Sequence, residues 1–162
     1  MKVVVAIDSL KGSLTSLEAG EAIQEGILRA ISDAEVIVRP LADGGEGTVE
    51  ALTRGMNGRY EKITVTDPLG RPTDAVYGIL EDSHTAIIEM SAAAGITLID
   101  AKDRNPMNTT TYGVGEMIKD AIGKGCRHFF IGIGGSATND GGIGMLQALG
   151  YGMLDTEGKQ VS

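Results

Sequence analysis

The run Val3-Val4-Val5-Ala6-Ile7 is apolar at every position and ends at Asp8. A run without alternation of apolar and polar residues is typical of a strand buried on both faces of a parallel sheet. Between Thr15 and Ile31 the apolar residues recur at helical spacing, and Val36-Ile37-Val38 forms a second short apolar run. This order predicts a strand, a helix and a second strand, joined by the right-handed crossover that links parallel strands.

The start of the predicted helix carries residues that can satisfy its free backbone N–H groups. Ser13, Thr15 and Ser16 are candidate N-caps, and Glu18 lies in the first turn, where a carboxylate is favourable. A shorter helix is expected after the second strand, from about Gly47 to Arg54.

Further along the chain the pattern becomes that of antiparallel strands. Two runs with strand character, Lys62–Thr66 and Asp74–Leu80, flank a turn that contains two prolines and a glycine, at residues 67–72. This arrangement predicts a β-hairpin. Thr85–Met90 adds another strand, and the small residues 91–95 form a helix start or a tight loop.

The alternation of helix and strand then returns. We predict a helix over Thr111–Lys124, a buried strand over His128–Ile133, a glycine-rich loop over Gly134–Asp140 and a helix over Gly141–Leu149. The predicted fold class is therefore α/β, with parallel-sheet layers of the Rossmann or flavodoxin type.

We place a domain boundary near residue 59, where the pattern changes. Residues 1–59 are predicted to be the N-terminal α/β segment of a first domain, and residues 60–162 a second α/β domain that begins with the hairpin and is incomplete at its C-terminus. Residues 151–154 look like the start of a strand that no later element pairs with or covers. We therefore expect a truncated chain.

Composition excludes several classes of protein. Of the 162 residues, 42% are hydrophobic and 22% charged, which is typical of soluble globular proteins. The net charge of −8 argues against binding to nucleic acid or to an anionic membrane. A single cysteine, Cys126, cannot form an internal disulfide, and the N-terminal apolar run is too short for a signal peptide. These features predict a cytoplasmic protein.

Glycine is concentrated in loops that resemble ligand sites. The pattern Asp-Gly-Gly-X-Gly occurs at residues 43–47 and again at residues 140–144, each time between a predicted strand and a predicted helix. Glycine allows backbone amides to approach a ligand, a helix start favours anions, and the carboxylate can bind a cation or accept a proton. The pattern indicates a phosphate-containing substrate and a metal ion, although an aspartate before a helix can also serve only as its cap.

Three polar loops follow predicted strands, at residues 8–13, 42–48 and 134–142. Ligands of open parallel sheets bind outside the carboxyl ends of the strands, so we expect these loops to form one site. In the first loop, Asp8 is the stronger candidate, since Lys11 could be a solvated lysine and Ser13 a helix cap. The Walker pattern of phosphate-binding loops is absent. His84 and His128 show no metal-ligand spacing, and Cys126 is interpreted as a buried small side chain.

Four ordered motifs carry a resemblance to a known family. They are Asp8-Ser9-Leu10-Lys11-Gly12-Ser13-Leu14, Pro40-Leu41-Ala42-Asp43-Gly44-Gly45-Glu46-Gly47-Thr48, Thr110-Thr111-Tyr112-Gly113-Val114-Gly115-Glu116 and Gly132-Ile133-Gly134-Gly135-Ser136-Ala137-Thr138-Asn139-Asp140-Gly141-Gly142. In these motifs the chain resembles the bacterial type of glycerate kinase, with one departure at Leu10, where the family usually has phenylalanine. The family's chains are much longer, and the resemblance is to their N-terminal part.

The resemblance implies ATP-dependent phosphorylation of D-glycerate, with Mg²⁺ present, on a two-domain α/β fold in which one domain is inserted into the other. Its partners would be glycerate and ATP, with no nucleic acid and no membrane. The alternative is a non-catalytic fragment, or an anion- or nucleotide-binding domain, that needs the missing C-terminal part. The oligomeric state is not predicted.

For such a reaction the sequence offers candidates for each role. Lys11 and the loop amides would hold phosphate or the glycerate carboxylate, while Asp8, Asp43 or Asp140 would bind Mg²⁺ or accept the hydroxyl proton. Asp43, Lys11 and Asp8 are the catalytic candidates, and Asp140 is the candidate metal ligand. The predicted binding residues are Ser13, Gly44, Gly45, Glu46, Gly47, Thr48, Thr111, Gly134, Gly135, Ser136, Ala137, Thr138, Asn139, Asp140, Gly141 and Gly142; for Thr111 a helix cap is the competing role.

Overall fold

The computed structural model describes residues 1–10 and 13–161, which form an α/β arrangement with two sheets. The strands are β1 (Lys2–Ile7), β2 (Glu35–Pro40), β3 (Arg59–Thr66), β4 (Pro72–Leu80), β5 (Thr85–Glu89) and β6 (His128–Gly132). The helices are α1 (Ser16–Ala30), α2 (Thr48–Gly55), α3 (Ser91–Ala94), α4 (Tyr112–Gly123) and α5 (Ile143–Ala148). Short 3₁₀ turns cover Ile96–Leu98, Ala101–Asp103 and Pro106–Asn108.

The first sheet is the predicted strand, helix and strand unit. β1 and β2 pair in parallel, with Val3 opposite Val36 and Val5 opposite Val38, and α1 connects them. Gly20 of α1 lies against the Val38 side chain, where any larger residue would collide with it. The predicted parallel pairing is confirmed.

The start of α1 is fixed by a capping box. The Glu18 backbone N–H donates to Thr15 Oγ1 at 3.1 Å, and the Thr15 N–H donates to Glu18 Oε2 at 2.8 Å. Both hydrogen bonds satisfy donors that have no partner within the helix. Of the three candidate caps, Thr15 is therefore the N-cap. The pKa of Glu18 is lowered because its carboxylate accepts the Thr15 N–H and also the Thr15 hydroxyl, the latter at 3.0 Å.

Two strands that were predicted to be buried are partly exposed. Val4 in β1 exposes 59% of its surface, and Phe130 in β6 exposes 57%. Val5, the next residue of β1, is buried, so the exposure belongs to one face of the strand. The prediction of full burial is wrong for these strands. A continuous apolar run indicates that both faces of a strand can be buried, but it does not show that another element covers each face.

The second sheet has the strand order β3-β4-β5-β6. β3, β4 and β5 are antiparallel neighbours, and β6 joins β5 in parallel. The β3–β4 turn is closed by Asp67, whose Oδ1 accepts the N–H groups of Leu69 and Arg71, each at 2.8 Å. The predicted hairpin is confirmed, and so is the return to a parallel connection between β5 and β6.

The main core lies on one face of the second sheet, under α3 and α4. Tyr77, Ile88 and Met117 are fully buried there. On the opposite face, Val49 of α2 packs with Leu80 and Ile87. Although α2 follows the first sheet in the chain, it packs on the second sheet, so it brings the loop before it to that sheet. The division of the chain at residue 59 stays a prediction.

After α5 the described chain contains a turn rather than a strand. Leu154 and Gln160 form an isolated antiparallel bridge around the predicted turn at residues 155–158. In the part of the chain that the structure describes, no helix combines the length and apolar character needed to span a bilayer.

Candidate functional site

A cleft of about 1420 Å³ lies where the loops after β1, β2, β5 and β6 meet. Each of these loops leaves the carboxyl end of a strand that has a parallel neighbour, which is the usual ligand position of α/β sheets. The residues that line the cleft at or near these strand ends include Ser9, Ser13, Asp43, Gly45, Glu46, Gly47, Glu89, Ser91, Gly134 and Gly135. The structure thus brings together parts of all three loops that the sequence singled out.

The loops at residues 43–47 and 132–135 meet backbone to backbone. The Gly134 N–H donates to the Gly44 carbonyl at 3.0 Å. A Cβ at Gly134 would lie only 2.6 Å from Gly45 Cα, and a Cβ at Gly132 would collide with the Gly44 carbonyl oxygen. Glycine at these positions permits a contact that no side chain could accommodate. These glycines hold the two loops together.

Asp43 lies at the exposed start of the first glycine loop, at the cleft. Its Oδ1 accepts the N–H of Gly45 at 3.1 Å, and Gly44 and Gly47 have φ values of 94° and 91°. The loop continues into α2, where the buried Thr48 hydroxyl donates to the Gly45 carbonyl at 2.8 Å. Gly44 and Thr48 therefore shape the loop, while Asp43 and Glu46 present carboxylates.

The candidates of the first loop are placed as follows. Asp8 is partly buried at the end of β1, and its Oδ1 accepts the Ser9 N–H at 2.7 Å. Ser9 and Ser13 line the cleft, whereas Asp8 itself is not among the lining residues. Lys11 lies outside the described residues. The catalytic roles of Asp8 and Lys11 stay predictions.

Glu89 is a cleft residue that the sequence interpretation missed. It ends β5, and its Oε1 accepts the Val49 N–H at 2.7 Å. Burial raises the pKa of the Glu89 carboxyl, and the nearby Glu46 carboxylate raises it further, against the lowering effect of backbone N–H groups at the start of α2. The sequence contained a signal for Glu89, because it is an acidic residue at the carboxyl end of a predicted strand, the same feature that made Asp8 a candidate.

The second Asp-Gly-Gly-X-Gly segment, residues 140–144, does not line the cleft. Asp140 Oδ2 accepts the Thr111 N–H and hydroxyl at 2.8 Å each and the Gly144 N–H at 3.2 Å, and Oδ1 accepts the Gly142 N–H at 3.0 Å. Burial acts to raise the pKa of Asp140, but these hydrogen bonds outweigh it and hold the pKa below its ordinary value. Asp140 therefore links the starts of α4 and α5, and its metal-binding role stays a prediction.

Residues 136–140, between Gly134-Gly135 and Gly141-Gly142, make contacts within the protein. Ala137 is buried, and its N–H donates to the Ala94 carbonyl at 2.9 Å. The hydroxyls of Ser136 and Thr138 lie 2.9 Å apart. The predicted binding residues that do not line the cleft are Gly44, Thr48, Thr111, Ser136, Ala137, Thr138, Asn139, Asp140, Gly141 and Gly142.

The charge of the cleft is predominantly negative. Among its described lining residues Arg54 is the only lysine or arginine, and the acidic residues are Glu18, Asp43, Glu46, Glu50, Asp74 and Glu89. An anionic ligand near these carboxylates requires a cation, either a metal ion or a basic side chain.

The described residues contain no group of three or more His, Cys, Asp or Glu side chains that could hold a metal ion. A Mg²⁺ ion bound together with a nucleotide needs only one or two protein carboxylates, because phosphates and water supply its other ligands. Asp43 and Glu46, both at the cleft, fit that requirement.

Comparison with known proteins identifies the family. The sequence profile of the glycerate kinase family matches residues 3–162. The chain is 50% identical over 161 residues to glycerate kinases of Haemophilus influenzae and Bacillus subtilis, covering 99% of this chain and 43% and 42% of theirs. It is 47% identical to the glycerate 2-kinase of Escherichia coli, covering 99% of this chain and 42% of that protein.

A solved structure from Salmonella typhimurium LT2, described as a glycerate kinase 2, is similar over the whole of this chain, with a TM-score of 0.88 and 48% identity. This chain covers 43% of that structure, so it spans less than half the length of these relatives. The match extends over almost every residue of this chain, and the chain belongs to the glycerate kinase family.

Proposed function

We propose that this protein transfers the γ-phosphoryl group of ATP to a hydroxyl of D-glycerate, with Mg²⁺. The observation that carries the proposal is the meeting of the Asp43–Gly47 loop with Gly134 and Gly135 at one cleft, in a chain of the glycerate kinase family. We also propose that it acts in the cytoplasm on small molecules, without nucleic acid or membrane partners, as its net charge of −8 favours.

The cleft suits phosphoryl transfer because that reaction depends mainly on positioning and charge neutralisation. Mg²⁺, when bound with ATP, neutralises phosphate charge, and Asp43 and Glu46 are the residues that would hold it. In this proposal Asp43 is either such a ligand or the base that accepts the proton of the attacking hydroxyl. Backbone N–H groups of the glycine loops orient the anionic groups of the substrates.

The proposed domain arrangement follows the same logic. Loops from two separate sheets line the cleft, and the sheets are joined in sequence through α2. A two-domain fold in which one domain is inserted into the other would place a cleft between the domains. Enclosed clefts of this kind exclude water from the reacting groups.

A second candidate is an anion- or nucleotide-binding domain that is not active without further chain. This chain covers only 43% of the matched Salmonella structure, which favours this second candidate. In that case Asp43 and the glycine loops would bind ligand without turnover.

The test is glycerate-dependent release of ADP, measured with the 162-residue chain and with the full-length protein. Formation of ADP and phosphoglycerate that requires both ATP and glycerate supports the kinase. Binding of ATP by the 162-residue chain, measured by calorimetry and without turnover, supports the second candidate. ATP hydrolysis that is indifferent to glycerate contradicts the proposed acceptor.

A further inference from the structure

The position of Glu89 between the two sheets is tightly determined by the backbone. Glu89 is the last residue of β5 and lies opposite Gly132 of β6. The next residue, Met90, donates its N–H to the Gly132 carbonyl at 2.9 Å. Gly132 is also the residue that lies against the Gly44 carbonyl. The backbone of Glu89 is thus held where the second sheet touches the Asp43–Gly47 loop.

The Glu89 side chain crosses from this sheet to the start of α2. The residue that precedes α2, Gly47, has a φ of 91° and no side chain that could cap the helix. Glu89 Oε1 takes that role by accepting the Val49 N–H at 2.7 Å, from a position 40 residues away in the sequence. A carboxylate at a helix start is favourable because it satisfies free N–H groups and complements the helix dipole.

This contact acts on the loop as well as on the helix. α2 begins directly after the Asp43–Gly47 segment, so fixing its first turn fixes the end of the loop. A second contact of the loop with this sheet is the backbone hydrogen bond between Gly134 and Gly44. Both contacts come from the second sheet, and they hold the Asp43–Gly47 loop beside Gly134 and Gly135.

We propose that Glu89 is a positioning residue, whose carboxylate caps α2 from β5 and thereby holds the Asp43–Gly47 loop at the cleft. The expected effect on kcat/KM rests on the proposed function, whereas the expected effect on amide hydrogen exchange does not. A plain core role does not account for Glu89, because a partly buried carboxylate beside Glu46 is electrostatically unfavourable. An apolar side chain would be less costly there, but it could not accept the Val49 N–H.

The test compares Glu89→Ala, Glu89→Gln and Glu89→Asp in the full-length protein. Glutamine keeps an oxygen that can accept the Val49 N–H, alanine removes it, and aspartate keeps the charge but is shorter by one methylene. Glu81→Ala is the matched control, since Glu81 is an exposed acidic residue that follows β4 of the same sheet. The readouts are amide hydrogen exchange over residues 44–52, and kcat and KM for glycerate.

We expect Glu89→Ala and Glu89→Asp to speed exchange over residues 44–52 by about fivefold to tenfold, the effect of losing a helix cap. We expect kcat/KM for glycerate to fall by at least the same factor. Glu89→Gln should restore exchange and most of kcat/KM, and Glu81→Ala should change neither. If Glu89→Ala does not fold, the aspartate variant supplies the same comparison.

Unchanged exchange in the alanine and aspartate variants overturns the inference. So does a glutamine variant that is as inactive as alanine while its exchange is normal, because the charge would then act on the substrates directly. If the unmodified full-length protein shows no glycerate-dependent turnover but the exchange pattern is as expected, the proposed function fails and the positioning role stands.

Discussion

In the first Asp-Gly-Gly-X-Gly segment, residues 43–47, the aspartate lies exposed at the cleft, whereas in the second, residues 140–144, it is enclosed by donors from Thr111 and the loop itself. In both segments the residue before the helix is a glycine with positive φ, 91° at Gly47 and 82° at Gly142. Neither glycine offers a side chain as a cap. At each helix start a carboxylate of a different residue accepts backbone N–H groups, Glu89 at α2 and Asp140 at α5.

The origin of that carboxylate separates the two segments. Asp140 accepts the Gly142 and Gly144 N–H groups itself, so the motif's aspartate stabilises its own helix start. At the first segment the first turn of α2 is capped from β5 by Glu89, and Asp43 stays at the cleft. The same five-residue pattern therefore serves structure in one place and, in our proposal, chemistry in the other.

Neutralising the aspartate at the cleft tests the difference between the two segments most directly. We expect Asp43→Asn to lower kcat for glycerate phosphorylation by about 10²-fold or more, the usual contribution of a general base, with little change in Tm. Steady-state ADP release and thermal melting measure the two effects. Asp82→Asn, in the exposed β4–β5 turn, is the control. Turnover within a factor of a few of the unmodified enzyme would show that Asp43 has no such role.

The reverse result is expected at the second segment. Asp140→Ala removes the acceptor of the Thr111, Gly142 and Gly144 N–H groups and should lower the free energy of unfolding by about 2–4 kcal/mol. Urea unfolding measures the loss. At temperatures where the variant is fully folded, kcat should stay close to that of the unmodified protein. A stable variant with abolished turnover would instead place Asp140 among the reacting groups.

A third substitution separates the two supports of the first loop. Gly134→Ala places a methyl group against Gly45 and should cost about 1–3 kcal/mol of stability, together with a fall in kcat/KM as the loops separate. Gly123→Ala is the matched control, because a Cβ there meets no atom within 4 Å. Equal behaviour of the two variants in melting and kinetics would contradict the close contact between the loops.

The smallest effect is the pH dependence of stability, in which Asp140 and Glu89 have opposite signs. The lowered pKa of Asp140 stabilises the fold above its unfolded value of 3.8, and this contribution is lost as pH falls through the folded pKa. The raised pKa of Glu89 gives a contribution that is full below 4.5 and is lost as pH rises through the folded pKa.

Glu89→Gln should therefore be slightly more stable than the unmodified protein at pH 7, by less than about 1 kcal/mol after allowance for solvent screening. Asp140→Asn should be less stable at pH 7 and should lose less of its stability between pH 5 and pH 3. Thermal melts across this range measure both. A stabilised Asp140→Asn or a destabilised Glu89→Gln at pH 7 contradicts the assigned directions.

Much of the local structure could be predicted from the sequence. The β1–α1–β2 unit, the capping box of Thr15 and Glu18, and the β3–β4 hairpin follow from periodicity and from hydrogen bonds that span a few residues. The burial of strands could not be predicted in the same way. Val4 and Phe130 are as apolar as core residues, yet more than half of the surface of each is exposed in the described chain.

The order of helices and strands can be derived from the sequence alone, and so can the family and the glycine loops that follow the strands, since each depends on residues close together in the chain. Which Asp-Gly-Gly-X-Gly segment lies at the cleft is set by the packing of the folded chain. That choice depends on α2 packing against the second sheet, on the backbone contact of Gly44 with Gly134, and on a hydrogen bond between Val49 and Glu89 across 40 residues. Contacts between such distant residues leave no periodic trace in a single sequence.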